Sequence, residues 1–300
     1  MPSPFHGLSA FPVTPASADG IVDTDALSSL VAGLVRPGIS SIGVMGSTGG
    51  YMYFGETERA RAFLAAVEAA GDTPVLAGVG DLRTDVVLRH AENAATAGAA
   101  GLLLAPVSYL PLTDADVMAL VHDVARASAL PVLLYNNPTT TGFAMSEELV
   151  ADLSGIEGVA AVKNPPAPDG DFAGQLARLR AACAQGFSLG YSGDTAIPGA
   201  LKAGCDAWYS VVAGTLPDLG VAMWNARTDR SELDRLVAGT AALWQTFDRH
   251  GSIRVVHEMS DMQGRPATAL PAPLLPLDAA ARAEIEAALE TVQSTLENAA

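Results

Sequence analysis

Val159-Ala160-Ala161-Val162-Lys163-Asn164 is an apolar run, too short for a helix, that closes on a lysine. Its small and β-branched residues suit a buried strand. The lysine stands out. The chain has only two, Lys163 and Lys202, and otherwise carries its positive charge on arginine. Lys202 lies just before Gly204 near the end of a helical pattern, where a cation complements the helix dipole and needs no further role. Lys163 ends a strand. A desolvated lysine can lose its proton and attack a carbonyl, whereas arginine stays protonated. A Schiff-base site is therefore the first expectation, and a strand-end lysine snorkelling to solvent is the plainer one.

Working outward, seven more apolar runs flank this one at a spacing of roughly 20 to 35 residues, as repeated βα units require. They are Ala10 to Pro15, Ser40 to Gly46, Pro74 to Val79, Gly101 to Pro106, Pro131 to Tyr135, Phe187 to Tyr191 and Ala207 to Val212. Helical patterns fill the gaps. Ala60, Phe63, Leu64 and Val67 share one helical face, and Val117, Leu120, Val121 and Val124 another. Thr113 is placed to cap the second of these helices. Gly71, Gly98 and Gly186 stand where helices should stop. Eight strand-helix units predict a closed (β/α)₈ TIM barrel. An open doubly wound sheet lacks its Gly-x-Gly-x-x-Gly signature after the first strand. The barrel is expected over residues 1–228. A C-terminal helical extension is expected over residues 229–300, packed on the barrel or at a subunit interface, with a Pro-rich link from Pro266 to Pro276 before its last helix.

The chain of 300 residues is 49% hydrophobic but only 6% aromatic, so its core must be built mainly from Ala, Val and Leu. A formal charge of −16 argues against a nucleic-acid partner. Cys183 and Cys205 show no metal-like or Cys-x-x-Cys spacing and read as buried thiols of a reducing compartment. The N-terminal residues do not read as a signal peptide, and no segment has the length and apolarity of a membrane span. A cytoplasmic protein is expected. The five histidines are scattered, which argues against a metal centre, and no Gly-x-Ser-x-Gly elbow supports a serine hydrolase.

Catalytic groups of such a barrel collect at the C-terminal strand ends. Tyr135 ends the strand before Lys163, and adjacent parallel strands bring the two within reach. A phenol beside an imine-forming lysine can move protons. The second strand runs into Gly46-Ser47-Thr48-Gly49-Gly50, whose glycines let successive N–H groups converge on a carboxylate or phosphate.

Together, Gly46-Ser47-Thr48-Gly49, Tyr135-Asn136-Asn137-Pro138, Lys163 and Ser192-Gly193-Asp194 resemble the dihydrodipicolinate synthase / N-acetylneuraminate lyase family, over nearly the whole chain. The resemblance implies class I aldolases and dehydratases that need no cofactor and are usually homotetramers, dimers of dimers. It implies that Lys163 forms an imine with a 2-keto acid such as pyruvate, that Tyr135 shuttles protons, and that Ser47 and Thr48 hold the keto-acid carboxylate. Thr48 is thereby a candidate catalytic residue as well, and Gly46, Gly49, Asn137, Thr140, Gly193 and Ser210 are candidate substrate contacts.

The chain departs from the family pattern in several places. Gly50 replaces a common Glu. Thr140, within Thr139-Thr140-Thr141-Gly142, stands where the lysine-pathway synthase has a carboxylate-binding Arg, and a hydroxyl cannot form a bidentate clamp. Ser108, with Tyr109 one place later, stands where that synthase lends a relay Tyr to a neighbouring subunit. Pro165-Pro166 follow Asn164. The expected function is a lyase acting on a 2-keto acid, either a pyruvate-type aldolase or an aldolase or dehydratase of 2-keto-3-deoxy sugar acids. Three alternatives stand beside it: a keto-acid-binding sensor without turnover, a dihydrodipicolinate synthase with an altered second-substrate site, and a phosphate-binding barrel using Gly193 and Gly214.

Overall fold

The computed structural model describes residues 3–265 and 269–298. Eight parallel strands close into a barrel in sequence order. They are β1 Gly7–Ala10, β2 Ile39–Val44, β3 Val75–Gly78, β4 Gly101–Leu104, β5 Val132–Tyr135, β6 Val159–Asn164, β7 Ser188–Tyr191 and β8 Ala207–Ser210. Seven of the eight predicted runs hold these strands. The first does not: the ladder with β2 and β8 runs through Gly7 to Ala10, upstream of the predicted Ala10 to Pro15. Pro12 and Pro15 cannot donate to a ladder. Their segment is instead an apolar coil buried under the barrel mouth, with Phe11 and Val13 each 2% exposed.

The helices between strands are α1 Thr24–Ala32, α2 Glu56–Ala70, α3 Thr84–Ala97, α4 Asp114–Ala127, the single turn α5 Pro138–Thr141, α6 Glu147–Ser154, α7 Phe172–Ala182, α8 Ile197–Ala203 and α9 Pro217–Asn225. Thr113 caps α4 as predicted, its hydroxyl accepting from the Asp116 N–H while the Asp116 carboxylate accepts from the Thr113 N–H. In α2 the predicted face is rotated. Ala62, Phe63, Ala66 and Ala70 are buried while Leu64 is 49% exposed. Alanines let the helix lie close to the barrel, and the fully buried Arg59 shares that face.

Inside the barrel, Lys163 pairs directly with Tyr135 on β5 and with Gly190 on β7. Gly190 is required there: a Cβ would lie 2.4 Å from the Tyr209 ring. That ring fills the interior below the lysine and packs edge-on against Phe11.

Beyond the barrel run α10 Arg230–His250, α11 Ser252–Met262 and α12 Ala279–Glu297. The Asp229 carboxylate starts α10 by accepting from the N–H groups of Ser231 and Glu232. Leu233 and Leu236 on α10 and Ile285 and Val292 on α12 are buried. Of the Pro-rich link, residues 266–268 lie outside the described residues. The part that follows meets the barrel mouth, where the Ala269 N–H donates to Ala16 O. Among the described residues no helix is long and apolar enough to cross a membrane.

Candidate active site

Lys163 enters the barrel mouth from the inner face of β6 and is 3% exposed. Its Nζ lies 4.0 Å from the Phe11 ring centroid and 4.1 Å from that of Tyr135. Two aromatic faces thus hold the amine where little water reaches it. The ladder continues past the strand ends, where the Asn136 N–H donates to Lys163 O. This fixes Tyr135 beside the lysine.

The Tyr135 hydroxyl lies 2.6 Å from Ser47 Oγ. Asn137 Nδ2 donates to the Tyr135 oxygen at 2.8 Å and lies 3.5 Å from Ser47 Oγ. With Asn137 donating to the phenol, the phenol hydrogen can pass to Ser47, which leaves the serine hydrogen for a bound molecule. Thr139 Oγ1 in turn donates to Asn137 Oδ1 and orients the amide. Asn137, expected at the substrate, is thus also a partner of the phenol.

The loop after β2 is tightly wound. Met45 has φ 53°, a conformation that strains a side-chain-bearing residue and is held by its surroundings. Gly50 has φ 66° and turns the chain into a short helical turn at Tyr51–Tyr53. The Gly50 N–H donates to Ser47 O and the Tyr51 N–H to Gly46 O. Among the described residues, the N–H groups of Ser47, Thr48 and Gly49 have no hydrogen-bond acceptor. Such a run of free donors suits an anion.

These groups open on one cavity of about 650 Å³. Ser47, Thr48, Tyr135, Asn137, Thr140, Lys163 and Gly193 line it, as do Gly50 and the Pro165-Pro166 pair. Its outer wall comes from the C-terminal segment, through Phe247, Ser252, Ile253 and Leu274. The extension is therefore part of the site. Among the described residues, its only charged lining residues are Lys163 and Asp194.

Asp194, left without a role by sequence reasoning although its motif was noted, is buried at the cavity wall. Oδ1 accepts from Trp208 Nε1 at 2.8 Å and Oδ2 from the Val212 N–H at 2.6 Å. Burial pushes its carboxyl above the ordinary range, while the Val212 and Trp208 donors and the Lys163 charge oppose that rise. Ser210 is fully buried and supports this carboxylate rather than lining the cavity; its Oγ accepts from the Ala213 N–H.

The remaining candidates fall elsewhere. Gly46 does not line the cavity, although its carbonyl shapes the loop. Gly49 faces an adjoining cavity of about 190 Å³ that also takes in Thr14, Asp19 and His257. Ser108 donates to Leu110 O and Tyr109 is 90% exposed, so within this chain neither reaches the cavity. Sequence reasoning also passed over Tyr51, an aromatic one residue beyond the glycine loop that proves to line the cavity. Its signal was present: a large ring directly after Gly49-Gly50 in a loop already tied to the site. Among the described residues, no three His, Cys, Asp or Glu side chains gather as a metal site would need.

Comparison with known proteins agrees with this fold. The dihydrodipicolinate synthetase family model matches residues 4–292. An uncharacterised DapA-like lyase of Halobacterium salinarum is 30% identical over 96% of this chain and 94% of its own length. A 4-hydroxy-tetrahydrodipicolinate synthase of Salinibacter ruber is 34% identical over 71% of this chain and 70% of its own. The crystal structure of a dihydrodipicolinate synthase from Agrobacterium tumefaciens superposes with a TM-score of 0.94 at 45% identity, covering 96% of this chain and 98% of that one. The barrel, its lysine-bearing sixth strand and these matches assign the chain to the dihydrodipicolinate synthetase family.

Proposed function

We propose that this protein is a class I lyase that forms an imine between Lys163 and a 2-keto acid, and that its second reactant is an uncharged hydroxyaldehyde. The observation that carries the first part is a buried Lys163 amine set against Tyr135, whose hydroxyl is bonded to Ser47. The keto-acid carboxylate is taken by the free N–H groups at Ser47 and Thr48. The Lys163 amine adds to C2 to give a carbinolamine. The Tyr135 phenol protonates the departing hydroxyl, water leaves, and the iminium forms beside a phenolate. When the C3–C4 bond breaks, its electrons flow into the iminium and leave a neutral enamine. The C4 hydroxyl proton then passes to the Tyr135 phenolate and restores the phenol.

The second part rests on the cavity's charge. Among the described residues, apart from Lys163, Asp194 and the Asn137 amide, its lining is apolar, aromatic or hydroxylated, and Thr139 and Thr140 stand at its rim. Among the described residues no arginine lines it to pair with a second carboxylate. This supports an aldolase of 2-keto-3-deoxy sugar acids over dihydrodipicolinate synthesis. A sensor without turnover has less support, because binding alone requires no phenol beside the amine. A tetramer in the cytoplasm is the assembly and location we propose by analogy with the family. The test is a rate comparison for pyruvate addition to glycolaldehyde or glyceraldehyde and to an aldehyde bearing a carboxylate. The neutral acceptors should react faster by on the order of tenfold or more. Preference for the carboxylate-bearing aldehyde would defeat this reading of the distal pocket.

A further inference from the structure

The Tyr51 side chain is largely enclosed, at 4% exposed, and among the described residues its hydroxyl makes no hydrogen bond. The oxygen is not one of the polar atoms sealed from solvent without a partner, so it opens on the cavity and is free to bond a bound molecule. The side chain lines the same cavity as Lys163 and Tyr135. Its ring is held from behind. The Arg59 guanidinium lies 5.3 Å from the ring centroid, and a Cβ built on Gly80 would come within 3.2 Å of Tyr51 Cε2. Arg59 is itself anchored to the carbonyls of Gly78 and Gly80. The phenol is therefore fixed in place with its hydroxyl uncommitted. Tyr135, by contrast, is already engaged by Ser47 and Asn137.

Burial raises the Tyr51 phenol well above its ordinary value, and the neighbouring Tyr135 adds to the rise. Tyr51 thus stays protonated and serves as a donor, not a base. Resting on the imine reading above, we propose that Tyr51 is a second substrate-contacting phenol whose hydroxyl donates to the oxygen on the distal carbon of the substrate. That oxygen is the C4 hydroxyl before cleavage and the aldehyde carbonyl after it. In the condensing direction the bond polarises the aldehyde and stabilises the negative charge that builds on its oxygen as C3 and C4 join. The role belongs to the chain's own second-strand loop and requires nothing from Ser108 or Tyr109.

The test separates two reactions of the same site in wild type and Tyr51→Phe, which keeps the ring against Arg59 and Gly80. Exchange of the pyruvate methyl hydrogens with deuterated water needs the imine and enamine but no distal oxygen. Addition of pyruvate to glycolaldehyde or to either glyceraldehyde enantiomer needs the distal oxygen stabilised. We expect exchange to stay within about threefold of wild type while bond formation falls on the order of a hundredfold, the usual loss for one such donor. Unchanged bond formation, or an equal fall in both reactions, would overturn the role of Tyr51. So would a wild-type protein that exchanges deuterium yet adds pyruvate to none of these aldehydes. Absence of exchange in the wild type would instead overturn the imine reading, and this inference with it.

Discussion

Lys163 and Tyr135 are direct cross-strand partners on β6 and β5, and the lysine nitrogen sits 4.1 Å from the centre of the tyrosine ring. The barrel alone sets this pairing, since a shift of one residue in either strand would turn one side chain out of the mouth. Amine and phenol are thus brought together by the strand register of the barrel itself.

Removing the phenol hydroxyl alone should separate packing from proton transfer. Tyr135→Phe keeps the ring under Lys163 but breaks the bonds to Ser47 and Asn137. Turnover of a 2-keto acid substrate should fall by about 10²- to 10³-fold. Stability in urea should change by no more than about 1 kcal/mol. A variant that turns over like the wild type would remove Tyr135 from the chemistry.

Arg59 holds the wall behind Tyr51. Its guanidinium donates to Gly78 O and Gly80 O, contacts His90 Nε2 at 2.6 Å, and lies 3.3 Å from Asp81. Burial pulls it down to about 10, so it stays charged at neutral pH. Arg59→Met keeps an apolar stem but strands two carbonyls and a carboxylate. We expect a loss of about 3 kcal/mol by urea denaturation, as for other broken buried pairs. A loss near zero would mean that these contacts do not hold the wall.

His90 gives the fold a pH dependence. It is 1% exposed, and burial with the Arg59 charge lowers it from its ordinary 6.5. The unfolded chain therefore binds a proton more readily than the folded one. The stabilisation is fully present above about pH 6.5 and is lost as pH falls below it. Glu56, Glu58 and Glu147 are lowered by their own partners and act only further into acid. Urea midpoints measured at about pH 7.5 and about pH 5.5 should fall in the wild type and fall less in His90→Asn. Equal falls would show that His90 is not the group responsible.

Much of this was legible in the chain. The runs around Leu133 and Val162 read as buried strands, and the β-branched and small residues before Lys163 located the amine. The first strand was hidden because Ala10 to Pro15 is as apolar as a strand but carries two prolines that cannot join a ladder. Leu64 misled because α2 buries a face of alanines. Tyr51 and Asp194 owe their positions to neighbours on other elements, Arg59 and Gly80 for one and Trp208 and Val212 for the other. The wall built by Phe247, Ile253 and Leu274 likewise appears only once α10 and α11 fold over the barrel mouth. No local pattern encodes such meetings.

The central claim is covalent and can be tested directly. The protein is incubated with pyruvate and borohydride, digested, and its peptides mapped by mass spectrometry, with Lys163→Ala alongside. Borohydride reduces an imine to a stable secondary amine. A reduced pyruvate adduct on the Lys163 peptide of the wild type, and none anywhere in the variant, is the predicted result. A folded wild-type protein that carries no adduct on Lys163, or carries it on Lys202, would contradict the account.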